Sequence, residues 1–125
     1  MSNLASESEF KVWLDRALSE SVPASVIAFN FNLYEPGSIE IIGSDSYSEG
    51  DPDWASDAAE TFRPDVEAFP LPASEYTTRK DVLEHAANLV LAYLDRPSAG
   101  SKRLCAAHAV AIGFVDGDLR RLWPK

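Results

Sequence analysis

The chain has 125 residues, 46% of them hydrophobic and 10% aromatic, which is enough for one domain with a buried core that needs no disulfide or metal. Its formal net charge is −9, and so acidic a surface repels nucleic-acid phosphates and anionic membranes. A single cysteine, the lack of any apolar run of roughly 20 residues and an N-terminus unlike a signal peptide together predict a cytoplasmic protein. We therefore expect one globular domain over residues 1–125.

The negative charge is concentrated in one part of the chain. Residues 17–62 contain nine acidic residues and no basic one, whereas the other 11 acidic residues are balanced by all 11 basic residues. Six of the nine carboxylates fall within residues 45–62 (DSYSEGDPDWASDAAETF), which we call the acidic segment. Its charge predicts contact with a cation, with a basic protein, or with water alone.

The first predicted element is an amphipathic helix. The S-x-x-E spacing of Ser6 and Glu9 is typical of a capping box, and apolar residues follow at positions i, i+3, i+4, i+7 and i+8. This pattern predicts a helix over residues 7–20, ended by Pro23.

A β-hairpin is predicted next. Residues 26–34 alternate between apolar and polar side chains, and residues 38–43 form a second strand-like stretch. A three-residue loop between the strands places Phe31 opposite Ile41 and gives one apolar face, whereas a two-residue turn would mix the faces.

Residues 63–72, after the acidic segment, contain three prolines and predict an edge strand or an extended loop. Thr78 and Asp81 then have capping spacing, and the apolar periodicity that follows predicts a second helix ending near residues 95–97. Residues 101–108 are compatible with a short helical turn.

A second hairpin is predicted at the end of the chain. The Asp-Gly dipeptide at 116–117 is a strong turn signal between strands over residues 109–115 and 118–123. A two-residue turn there places Ile112 opposite Arg121. Because the element order lacks βαβ alternation, we predict an α+β fold: an antiparallel sheet built from two hairpins and a possible edge strand, with two helices packed on one face.

The acidic segment does not fit the calcium-binding loop of an EF-hand. Aligned on Asp45, the EF-hand pattern places Gly50 correctly at its sixth position. However, it places Tyr47 at the third position and Ser56 at the twelfth, where a bidentate Glu is required. A looser divalent-cation site remains open, formed by Asp51, Asp53 and Asp57.

The sequence gives little sign of catalysis. The clustered acids have polar neighbours rather than the apolar setting that raises the pKa of a catalytic acid, and the common nucleophile, phosphate-loop and metalloprotease motifs are absent. Cys105 and His108 could share a helical face beside basic residues, but apolar neighbours favour a structural cysteine. His85 lies beside the buried face of the second helix, where a structural role is the commoner one. We expect no enzyme, no catalytic residue, no metal and no cofactor.

The acidic segment instead has the composition of a protein-binding surface. Aromatic side chains lie among its carboxylates, a mixture that interface hot spots use, and loops this long in a compact domain are usually functional or disordered. Trp54 has an equally good alternative role as a plug of the core. The predicted partner-binding residues are Asp45, Tyr47, Glu49, Asp51, Asp53, Trp54, Asp57 and Glu60.

Four stretches of the chain resemble a family of small, largely uncharacterised bacterial proteins: FNFNLYE (29–35), IEIIGSDS (39–46), DPDW (51–54) and AIGFVDGDL (111–119). Some members are encoded beside polymorphic-toxin or contact-dependent inhibition loci, where they are taken to be immunity proteins. The shared motifs are the two hairpins and the acidic tryptophan segment, and they bring no catalytic residues. The family often has a Cys where this chain has Ser56, so no shared chemistry is expected there.

The resemblance implies a small cytoplasmic protein that binds and neutralises a cognate toxin, with a basic nuclease-type domain as the expected partner. Opposite charges would speed the encounter of the two proteins. Two other classes stay open. One is a divalent-metal-binding protein or enzyme that uses the acidic segment, and the other is an adaptor that forms homodimers through the back of the sheet.

Overall fold

A computed structural model describes residues 2–35, 37–48, 52–55, 60–71, 77–115 and 119–124, with side chains from Glu7 onward except at positions 52, 53 and 60. The described residues form three α-helices, six β-strands and a 3₁₀ turn, η1. In chain order these are α1 (Ser2–Leu18), β1 (Ala28–Tyr34), β2 (Ser38–Ser44), η1 (Pro52–Ala55), β3 (Glu60–Phe62), β4 (Phe69–Pro70), α2 (Arg79–Asp95), α3 (Ala99–Cys105), β5 (Ala109–Phe114) and β6 (Arg120–Trp123).

The strands form one mixed sheet in the order β3-β2-β1-β5-β6, with β4 also paired to β2. The predicted α+β class is confirmed, but the prediction of a purely antiparallel sheet is wrong, because β1 and β5 pair in parallel. The connection through α2 and α3 returns the chain to the end of the sheet at which β1 begins. The first strands of the two hairpins, β1 and β5, therefore run in the same direction and lie side by side.

The first hairpin has the predicted register. Phe31 lies opposite Ile41, and Leu33 lies opposite Ile39. All four side chains are buried in the main core, as the apolar alternation of the two strands requires.

The second hairpin departs from its predicted register at a β-bulge. Ala111, rather than Ile112, lies opposite Arg121, so Leu122 is the extra residue of β6. In a regular strand neighbouring side chains point to opposite faces of the sheet. The bulge allows both Leu122 and Trp123 to pack against the main core.

Of the two long helices, α2 begins at its predicted cap and α1 does not. Helix α2 follows its predicted cap: the Thr78 hydroxyl accepts a hydrogen bond from the Asp81 amide (3.1 Å), and the Asp81 carboxylate accepts one from the Thr78 amide (3.3 Å). Helix α1 begins at Ser2, so the predicted start at residue 7 is wrong and Ser6 lies inside the helix. The S-x-x-E pattern can also lie inside a helix when the residues before it, here including Leu4, favour helix as well.

All three helices pack on one face of the sheet, where they form the main core. Phe10 and Leu14 of α1 and Val90 of α2 are almost completely buried against the apolar side chains of the strands. This confirms the prediction that the helices share one face, with α3 as a third helix where only a short turn was predicted.

A hydrogen bond joins α1 to α2, and α3 packs against the same place. The Tyr93 hydroxyl donates to the Asp15 carboxylate at 2.6 Å, and burial and this bond raise the pKa of Tyr93. Burial raises the pKa of Asp15, but the hydrogen bonds from Lys11 and Tyr93 outweigh it and leave that pKa below its usual value. Glycine at position 100 makes room for this hydrogen bond, because a Cβ there would lie 1.8 Å from the Tyr93 hydroxyl oxygen and would force Tyr93 to move.

Of residues 63–72, predicted as an edge strand or an extended loop, Phe69–Pro70 form strand β4. Strand β3 (Glu60–Phe62) precedes them within the acidic segment, where no strand was predicted, and the two strands pair with opposite ends of β2. The loop between them is tied to the first helix and the turn that follows it. Trp13 Nε1 donates to the Glu67 carbonyl (2.7 Å), and the Glu20 carboxylate accepts from the Asp65 amide (2.8 Å). In the part of the chain that is described, no helix is long and apolar enough to span a membrane.

Candidate functional site

The face of the sheet away from the helices, which we call the second face, differs from the main core. Alternation places every other side chain of the central strands there. Apart from Ile42 and Tyr34, it carries amides, a carboxylate and small side chains rather than large apolar groups. Its residues are Ala28, Asn30, Asn32 and Tyr34 of β1, Glu40, Ile42 and Ser44 of β2, and Ala109, Ala111 and Gly113 of β5.

A chain of hydrogen bonds crosses the second face and ends on a carboxylate. Asn30 Nδ2 donates to Asn32 Oδ1 (2.6 Å), and Asn32 Nδ2 donates to Glu40 Oε2 (3.0 Å). The Tyr34 hydroxyl donates to the same Glu40 oxygen, and Arg63 Nη1 donates to Glu40 Oε1 (2.5 Å). We call these five residues the polar row. The Glu40 side chain is only 18% exposed, so these donors take the place of water around its carboxylate.

The negative charge of Glu40 determines the direction of the whole polar row. A carboxylate only accepts hydrogen bonds, so Asn32 must turn its amide nitrogen toward Glu40 and offer its oxygen to Asn30. Asn30 then directs its Oδ1 away from the row. That atom is buried, in a residue 1% exposed, and has no hydrogen-bond partner among the described residues.

Replacing Glu40 by alanine is expected to lower the free energy of unfolding by about 1–3 kcal/mol, because buried donors of Asn32 and Tyr34 lose their acceptor. The matched control is Glu84→Ala. Glu84 also accepts from an arginine of the sheet, Arg120 (2.7 Å), but this ion pair is exposed and should matter far less. Urea unfolding of both variants measures the difference, and equal losses would show that the polar row does not stabilise the fold.

Trp54 lies on the second face and packs within the chain. Turn η1 places its ring on Ala28 and Ala111, whose small side chains leave room for the indole, and Trp54 is only 7% exposed. The Tyr47 ring packs against it, with the centroids 5.2 Å apart and the planes at 72°. Of the two roles predicted for Trp54, the structure therefore shows the buried one: the indole packs inside the protein and is not an exposed anchor for a partner.

The acidic segment is held to the sheet at its two ends as well as at Trp54. Phe62 of β3 lies opposite Gly43 of β2 and is buried in the main core. The Asp45 amide donates to the Thr61 hydroxyl at 3.2 Å. These contacts hold the two ends of the segment together and its middle against the second face.

The predicted partner-binding residues differ in how much of each the structure describes. Asp45 is exposed, Tyr47 is half-buried and Trp54 is buried. For Asp53 and Glu60 only the backbone is described, in η1 and β3. The remaining three, Glu49, Asp51 and Asp57, lie outside the described residues.

Ion pairs compensate acidic residues elsewhere on the molecule. Within the described part of the chain, none of these pairs involves a residue of the acidic segment, so the exposed Asp45 has no basic partner there. The pairs are Lys11–Asp15 (2.7 Å), Arg63–Glu40 (2.5 Å), Arg79–Glu35 (3.7 Å), Arg96–Glu7 (3.6 Å) and Arg120–Glu84 (2.7 Å).

Metal binding and cysteine chemistry gain no support from the described residues. No three His, Cys, Asp or Glu side chains among them are grouped to hold a metal ion. Burial, and the nearby Asp95, raise the pKa of the Cys105 thiol, which is the opposite of activation. His108 lies beyond the end of α3 and so does not share a helical face with Cys105. The divalent site at Asp51, Asp53 and Asp57 stays a prediction, since its side chains are not described.

The polar row was not predicted from the sequence, although part of its signal was present. Asn30 and Asn32 lie two apart in an otherwise apolar strand, which indicates a polar second face. Glu40 joins them only through the register of the hairpin, and Arg63 only through the path of the chain after β3. Neither relation is a pattern of neighbouring residues.

In comparisons with protein-family models, with curated proteins and with solved structures, the chain matches none of them.

Proposed function

We propose that this protein binds a basic protein through its acidic segment and acts as an immunity protein, neutralising a toxin domain encoded beside its gene. The observation that carries the proposal is the concentration of negative charge in one segment, whose described parts pack on the sheet. Residues 17–62 contain no basic residue, and none of the ion pairs between described residues involves Asp45, the one carboxylate of the acidic segment whose side chain is described.

Charge concentrated in this way acts first on the rate of encounter. A contiguous region of one sign steers a partner of opposite sign and can raise association rate constants 10–1,000-fold. A nuclease-type toxin offers such a partner, because its substrate groove must attract phosphates. Carboxylates of the acidic segment would then occupy the positions of those phosphates.

The packing of the segment supports binding as well as encounter. A free acidic tail would lose conformational entropy on docking, whereas the described parts of this segment, at its base and at Trp54, are already held by packing. The buried indole thus contributes to recognition by holding the acidic segment in place rather than by touching the partner.

The adaptor alternative is less well supported. A homodimer through the back of the sheet needs an open second face, but Asn30, Ile42 and Ala111 are each at most 3% exposed within the single chain.

The metal-binding alternative depends on side chains that are not described, and calorimetric titration with calcium, magnesium and manganese tests it directly.

Co-expression tests the proposal. The open reading frame immediately upstream is read, and its C-terminal 100 or so residues, about one domain, are expressed with and without this protein. We expect growth to stop without this chain and to recover with it. A neighbour that is harmless, or one that this chain cannot neutralise, would contradict the proposal.

A further inference from the structure

We propose that Tyr47, supported by Trp54 and next to Asp45, binds an arginine side chain of the partner protein. This inference rests on the proposed function and adds to it the chemical group that the acidic segment recognises. It concerns the most exposed end of the segment whose side chains are described.

The geometry provides a fixed aromatic surface. Tyr47 and Trp54 pack edge to face, an arrangement that aromatic rings prefer, with their centroids 5.2 Å apart. Trp54 is held on Ala28 and Ala111. Tyr47 is only half-buried, so part of its ring stays accessible while its orientation is fixed.

The electrostatics favour a cation at this surface. Asp45 is exposed, lies two residues before Tyr47 and has no ion pair with a described residue. The negative face of an aromatic ring attracts a cation, and a nearby carboxylate adds to that attraction.

The same molecule already holds one of its own arginines in this way. The Arg79 guanidinium carbon lies 4.2 Å from the centroid of the Phe114 ring, and Arg79 Nε lies 3.7 Å from a Glu35 carboxylate oxygen. An aromatic ring and a carboxylate together therefore bind a guanidinium group on this fold. Tyr47 and Asp45, two positions apart in the chain, offer the same two kinds of group, and Asp45 has no ion pair with a described residue.

Arginine fits such a site better than lysine does. Its guanidinium group is planar, stacks on aromatic rings and is weakly hydrated, and it donates two parallel hydrogen bonds to a carboxylate. The lysine ammonium is a compact, strongly hydrated charge that gains less from a ring. Preference for arginine over lysine at equal charge thus distinguishes this site from a purely electrostatic surface.

The test uses hexa-arginine and hexalysine peptides, titrated at low salt into the full-length protein by calorimetry. We expect the hexa-arginine peptide to bind about two- to fivefold more tightly than the hexalysine peptide, the size of an exposed cation–π contact. Tyr47→Leu should abolish this preference, and Tyr47→Phe, which keeps the ring, should retain it. Circular dichroism checks that both variants are folded, and Asp45→Asn, which leaves the aromatic pair intact, should weaken binding of both peptides.

Each outcome decides the inference. Preference for arginine that depends on the ring at position 47 supports it. Equal binding of the two peptides, or a preference that survives Tyr47→Leu, overturns the arginine site but leaves the acidic surface as the proposed interface. Failure of either peptide to bind overturns the site too, while the co-expression experiment still decides separately whether the protein neutralises a toxin.

Discussion

A variant with Asp51, Asp53 and Asp57 all changed to asparagine is expected to fold normally and to bind the toxin domain with an association rate constant about 10–100-fold lower at low salt. Asparagine keeps the size and most of the hydrogen-bonding capacity of aspartate and removes only the charge. The three positions lie in the middle of the acidic segment, where no base of the chain is near in sequence.

Salt dependence separates this effect from a general loss of binding. Steering between exposed charges is screened within about 10 Å at 0.1 M salt, so the association rate of the wild type should fall steeply as salt is added. The triple variant should show a much flatter dependence. Its dissociation rate should change less, because rim charges act mainly on association.

A matched control changes the same amount of charge elsewhere. Glu9→Gln, Asp65→Asn and Glu67→Gln together also remove three negative charges, from exposed side chains outside the acidic segment. Surface plasmon resonance at several salt concentrations compares the two triple variants. If both lose the same fraction of the association rate, net charge rather than the acidic segment is responsible; if neither loses any, the interface lies elsewhere.

The fold was predictable where one pattern of neighbouring residues decides the structure. The alternation in β1 and β2 permits one register with an apolar face, and this register is present. The capping residues Thr78 and Asp81 likewise determine where α2 begins. Such signals need only residues that are close in sequence.

Relations between distant residues were not predictable in the same way. The parallel pairing of β1 with β5 depends on how α2 and α3 cross the sheet, and no residue of either strand encodes it. The bulge at Leu122 arises because Leu122 and Trp123 can both pack against the main core only if alternation is broken. Both features follow from packing of the complete fold.

The candidate site shows the same division. The excess of charge in residues 45–62 is plain in the sequence. The role of Trp54 could not be read there, because an aromatic residue among acids suits an interface and a plug equally well. Only the small residues Ala28 and Ala111, from strands about 80 positions apart in the chain, reveal where the indole packs.

Replacing Trp54 by alanine is expected to lower the free energy of unfolding by about 3–5 kcal/mol, the usual cost of removing a large buried aromatic side chain. Among the described residues the other members of this cluster, Tyr47, Ala55 and Leu119, are only partly buried, and the space above Ala28 and Ala111 is filled by the indole itself. Urea unfolding followed by circular dichroism measures the loss. Trp54→Phe, which retains an aromatic ring over the two alanines, should lose considerably less.

Trp54→Ala also tests how Trp54 contributes to toxin binding. If the indole holds the acidic segment in place, Trp54→Ala should weaken toxin binding although every carboxylate is retained, and Trp54→Phe should largely restore it. A Trp54→Ala protein that unfolds at the wild-type urea concentration but no longer binds the toxin would contradict this account. The indole would then contact the partner directly, and the acidic segment would have to leave the second face of the sheet when the complex forms.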